Sequence, residues 1–204
     1  MSFIIKHGKS EDFSPVPAGT HLGICTTLVR LGKQPDSRFE PKDKVYIRWE
    51  LPEQTITWRD KNGGDHSGPM TLGKTYTESL APKSNLRAHL ETWRGRGFTD
   101  EELNGFDLTD ILGKPCMLGV VHREGGERVY ADVKTVSQAP AGVDPKPATK
   151  LMAFDCDDED PEAFALLPTW LQKKIRARIV PQAKPQPPIS TTAAPDDFDD
   201  DVPF

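Results

Sequence analysis

The stretch KVYIRWEL, Lys44–Leu51, alternates without a break. Val45, Ile47, Trp49 and Leu51 fall on one side, while Lys44, Tyr46, Arg48 and Glu50 fall on the other. Neighbouring side chains of a strand leave opposite faces, so this is a strand with one apolar and one polar face. Reading outward, GTHLGICTTLVRLG, Gly19–Gly32, supplies β-branched and apolar residues for an earlier strand over Thr20–Leu31. On the other side, TITWRD, Thr55–Asp60, is read as a third strand, and KNGGDHSG, Lys61–Gly68, as a loop. Trp58 shares a face with Ile56 and is assigned to the core, as are Trp49 and Trp93.

The period then changes. Leu86, Leu90 and Trp93 recur at helical spacing, which predicts a helix over Pro82–Arg94 with Pro82 in its first turn. FTDEELNGFDLTDILG reads as a short helical turn capped by Thr99. Two further strands follow, KPCMLGVVHR and RVYADVKTV, joined by a tight turn at Glu124–Glu127. The expectation is a mostly β (α+β) chain. Residues 1–138 would form a five-stranded, partly open OB-fold-like barrel with a helix between the third and fourth strands. Residues 139–180 read as an acidic linker with one short amphipathic helix carrying Leu166, Leu167, Trp170, Leu171 and Ile175. Docking on the barrel, bridging of subunits and a free state are all open to that segment. Residues 181–204 read as a disordered Pro-rich spacer and an acidic tip.

Charge also divides along the chain. Eleven of the 31 acids lie at or beyond Leu151, but only five of the 26 Lys and Arg, so the net charge of −5 belongs to the C-terminal quarter. No apolar run is long enough for a membrane span, and the first residues lack a secretion-signal core. A cytoplasmic location without membrane partners is expected. Three widely spaced cysteines offer neither a disulfide framework nor zinc spacing. His7, His21, His66, His89 and His122 are scattered, and no phosphate-cradling loop is present. Asp107, Asp110 and the Asp155–Asp160 run are the only metal-carboxylate candidates. No catalytic residue, metal or cofactor is expected.

Single strands of nucleic acid are held by stacking bases on aromatics and by cations that track phosphates. Lys44, Tyr46 and Arg48 form one such face, and Arg128, Tyr130 and Lys134 another, with Arg59 and Arg123 extending the phosphate path. Lys83, Arg87, Arg94 and Arg96 make a second basic patch.

The chain ends in DDFDDDVPF, Asp196–Phe204. This resembles the tip of the bacterial single-stranded DNA-binding proteins, a docking peptide for replication, recombination and repair enzymes. The resemblance implies that Phe204 fills an apolar pocket while its carboxylate meets a basic residue. Val202 and Pro203 would pack at the rim, and Asp199, Asp200 and Asp201 would lie along basic side chains. Capture of a C-terminal carboxylate beside an aromatic anchor is a recurring mode of peptide recognition. LAPKSNLRAHLETWRGRGFTDEEL and FDLTDILGKPCMLGVVH are similar to phage-encoded proteins of replication modules. The resulting expectation is a non-enzymatic phage protein that binds single-stranded DNA and recruits host replication, recombination and repair proteins through its tip. The alternative is an interaction protein that occupies the same docking pocket without binding DNA. Self-association is left open.

Overall fold

A computed structural model describes residues 14–60, 63–126, 128–158 and 160–180. The chain is mostly β. Six strands, β1 (Gly19–Gln34), β2 (Lys42–Arg59), β3 (Asp65–Thr77), β4 (Pro115–Gly125), β5 (Arg128–Gln138) and β6 (Met152–Phe154), form one sheet. Its order is β3-β2-β1-β4-β5, all antiparallel, and β6 pairs in parallel with β1. No ladder joins β3 to β5 among the described residues, so the barrel is not closed. Its seam is bridged by Lys74, whose Nζ donates to Asp132 Oδ1 at 3.0 Å and to the Val133 carbonyl.

β1 is shared between neighbours because it bends. Its N-terminal half pairs with β4, and its C-terminal half meets β6 on that side instead. Register shifts at Cys25/Thr27 and Arg30/Gly32 make the bend. Gly32 sits at φ +67°, a conformation that disfavours any side chain, and a Cβ there would meet Arg178 and Cys156.

The inward faces build the main core. Val45, Ile47, Trp49 and Leu51 are buried as the alternation predicts, together with Met70, Leu72, Leu118, Val120, Val133 and Val136. The helix α1 (Asn85–Arg94) packs Leu86, Leu90 and Trp93 into this core. It begins three residues later than its spacing suggests, because the Ser84 side chain accepts from Leu86 N and caps it. In α2 (Asp100–Asn104), Thr99 and Glu102 form a reciprocal capping box.

The third strand is not where the sequence predicts it. TITWRD is the far end of β2, reached across an irregularity between Leu51 and Thr55 that accommodates Pro52, which has no N–H for the ladder. The real third strand begins at Asp65, inside the predicted loop. The chain does turn there, but only between Asp60 and Gly64, where Asp60 N donates to Gly64 O at 2.9 Å and Gly63 N to Asp60 O at 3.1 Å. The alternation of Met70, Leu72 and Tyr76 was the legible signal for β3.

From Ala148 on, the described residues of the 139–180 segment form a layer on the outside of the sheet. Glu50, buried on the outer face of β2, accepts from Ala148 N (2.7 Å), Thr149 N (2.9 Å) and Thr149 Oγ1 (2.6 Å). The chain then forms β6 and two helices, α3 (Pro161–Leu166) and α4 (Thr169–Arg176). Leu167, Leu171 and Ile175 pack on Val29, Leu31, Tyr46 and Phe154 as a second core. Of the three fates left open for this segment, docking on the barrel is the one observed.

Candidate nucleic-acid interface

β1 is antiparallel to β2 and β4, and these are antiparallel to β3 and β5, so β3 and β5 run the same way. Lys74 of β3 lies beside Asp132 and Val133 of β5. The β2–β3 and β4–β5 turns therefore emerge at one end of the barrel, as two arms. On the first arm Trp58 is 47% exposed, contrary to its assignment to the core. Beyond Ile56 the arm overhangs the barrel, and no core remains for a side chain on that face. Trp58 instead stacks on His66, with centroids 5.7 Å apart and planes 18° apart. Its ring lies over Gly68, where a Cβ would come within 3.3 Å of it. Arg59 is on the same arm and pairs with Asp65 at 2.8 Å.

The second arm holds Tyr130, 49% exposed, with its ring over Gly125. Arg123 is its cross-strand partner, and Arg128 pairs with Gly125 at the turn. Arg123 and Arg128 are exposed. Lys134 is exposed too but lies further along β5, where its carbonyl accepts from His89 Nε2 at 3.2 Å. The fold thus gathers Arg123, Arg128 and Tyr130 at one end and leaves Lys134 outside that group.

Lys44, Tyr46 and Arg48 do share the outer face of β2, but that face is not open at Tyr46. The ring is 8% exposed, lies against Gly73 and meets Trp170 of α4 edge-on at 5.0 Å. A Cβ on Gly73 would overlap it, so glycine is required for this packing. Burial raises the Tyr46 hydroxyl pKa, partly countered by the nearby Arg48 charge. Lys44 Nζ donates to Thr77 Oγ1 at 2.9 Å. Arg48 Nε is buried and finds no hydrogen-bond partner among the described residues.

The expected second basic patch is largely neutralised. Arg87 pairs with Glu91 at 2.8 Å, and Arg94 and Arg96 both pair with Glu102. Arg94 also sits 4.5 Å and 5.0 Å from the ring centroids of Phe98 and Phe106. The hydrogen bond from Arg96, then that from Thr99 N, hold the Glu102 carboxyl at about 2.

The carboxylates weighed as metal ligands have structural duties. Asp107 Oδ1 accepts from Thr109 N and Oγ1 and caps the 3-10 turn Leu108–Ile111. Asp155, Cys156 and Asp157 bring ligand atoms within 4.8 Å of one another, but Arg30 already pairs with Asp155 at 3.2 Å. Burial pushes the Cys25 thiol up to about 12 and that of Cys156 up to about 11, which disfavours thiolate chemistry at neutral pH. Asp199, Asp200, Asp201, Val202, Pro203 and Phe204 lie outside the described residues.

Among the described residues no helix is long and apolar enough to cross a membrane. No family model matches the chain, and neither does any curated protein.

Proposed function

We propose that this chain is a non-enzymatic single-stranded DNA-binding protein of phage replication, recombination or repair, acting in the cytoplasm of a bacterial host. Its C-terminal tip recruits host enzymes of those processes. The observation that carries the reading is the pair of arms at one end of a partly open barrel. They present two exposed rings, Trp58 stacked on His66 and Tyr130 beside Arg123 and Arg128. Bases stack on such rings whatever their identity, and guanidinium groups follow the backbone. The DDFDDDVPF terminus supports the recruiting role through its resemblance to a known docking peptide.

Titration of the full chain with fluorescent oligo-dT at several salt concentrations tests the reading. The logarithm of the affinity is expected to fall linearly with the logarithm of salt concentration. Absence of salt-sensitive binding at micromolar protein would overturn it. Retention of host partners under those conditions would leave the alternative, a protein that only occupies the docking pocket.

A further inference from the structure

The layer that buries Tyr46 carries its own aromatic and basic surface. α4 has two flanks. Gln172 and Arg176 face α3, with Gln172 Nε2 bonding the Leu167 carbonyl at 2.8 Å and Arg176 lying 5.2 Å from the Phe164 ring centroid. Trp170 and Lys174 are on the flank turned to β2, as the Trp170–Tyr46 contact fixes, and Lys173, opposite the buried Leu171 and Ile175, faces away from the sheet. Trp170 is 44% exposed although it touches Tyr46. Lys173 and Lys174 are exposed and make no ion pair among the described residues. The Lys174 ammonium stands 5.7 Å from the Trp170 ring centroid. On the strand beneath, Lys44 and Arg48 flank Tyr46 on the same face, also without ion pairs among the described residues.

An indole beside Lys174, with Lys173 on the outer side of the helix and Lys44 and Arg48 on the strand that carries Tyr46, none of them ion-paired among the described residues, has the makings of a stacking platform between two rails for phosphates. A surface for a partner helix would present an apolar stripe instead, and Leu171 and Ile175 are already used up in the second core. Arg48 Nε, buried and unpartnered, adds a donor whose desolvation is uncompensated by the protein alone.

We propose that α4 and the outer face of β2 form a second segment of the single-strand path, separate from the two arms. A base stacks on Trp170, and the flanking phosphates are held by Lys173 and Lys174 on one side and by Lys44 and Arg48 on the other. α4 is then a wall of the binding surface and not a lid on it. This inference rests on the proposed function.

The test compares the full-length chain with Lys173→Glu/Lys174→Glu and with Trp170→Ala in oligo-dT titrations. The lysines are exposed, so their reversal leaves the second core intact. It is expected to weaken binding on the order of tenfold at low salt and to reduce the salt slope by about 1.4. Trp170→Ala is expected to weaken binding about 5- to 100-fold. A photo-crosslinked oligonucleotide containing 5-iododeoxyuridine should mark the peptide that holds Trp170. If wild-type chain binds oligo-dT and both variants match it, this inference fails and the arms alone carry binding. If the variants bind more tightly, α4 is a cover and the inference fails likewise. If wild-type chain binds no oligo-dT, the proposed function itself is lost.

Discussion

Tyr46 and Tyr130 have similar local signatures, a tyrosine on the polar face of an alternating strand two residues after a cation, Lys44 or Arg128. One is buried beneath Trp170, and the other is half in water at an arm turn. Alternation fixes which side of a strand faces the core, and both tyrosines obey it. What lies over the opposite side is decided by chain more than a hundred residues away for Tyr46, and by nothing among the described residues for Tyr130. A polar face is therefore an invitation to a second layer as much as to a ligand.

The largest effect should separate the two tyrosines by stability. Tyr46→Ala removes a ring from the second core and is expected to destabilise the fold by about 3–5 kcal/mol, the range for buried aromatic truncation. Thermal unfolding measures it, and a loss below about 1 kcal/mol would mean that α4 is not seated as described. Trp58→Ala and Tyr130→Ala should do the reverse. Each is expected to leave stability within about 0.5 kcal/mol while removing about 1–3 kcal/mol of oligo-dT affinity. Unchanged affinity in both would take the arms out of the interface.

The smallest effect concerns the acidic end. Deleting Asp196–Phe204 is expected to tighten oligo-dT binding by less than about 1 kcal/mol at low salt, because five exposed aspartates compete for the same cations. The gain should vanish near 1 M salt, where the screening length is about 3 Å. Phe204→Ala keeps those charges and should leave oligo-dT affinity unchanged while abolishing capture of host partners. An equal gain from truncation at both salt concentrations would refute the competition.

Much of the main core was legible because it follows simple periods. Trp49 and Leu51 at period two, and Leu86, Leu90 and Trp93 at helical spacing, are buried where the sequence predicts. Failures came where a local rule was true but incomplete. Gly63 and Gly64 do mark a turn, yet β3 begins directly after it, and Trp58 follows the apolar alternation past the point where the core ends. The second layer was least legible. Its strand β6 has three residues, and its polar link to β2 is a carboxylate, Glu50, that a polar face hides among ordinary surface charges. Trp170, Lys173 and Lys174 went unassigned for that reason, since their neighbours on β2 belong to a distant part of the chain.

The bent strand β1 has a consequence for how the protein is made. It leaves the ribosome among the first elements, yet its partners are spread along the chain: β2 arrives at once, β4 only near residue 115, and β6 near residue 152. Val29 and Leu31 then wait for Leu171 and Ile175 to cover them. A nascent chain with β1–β3 complete thus carries an apolar outer face until α4 is made, the kind of surface that draws chaperones or mispairs with a neighbour. The unpaired charges of Lys44 and Arg48 beside that face would keep two such nascent chains apart until α4 arrives.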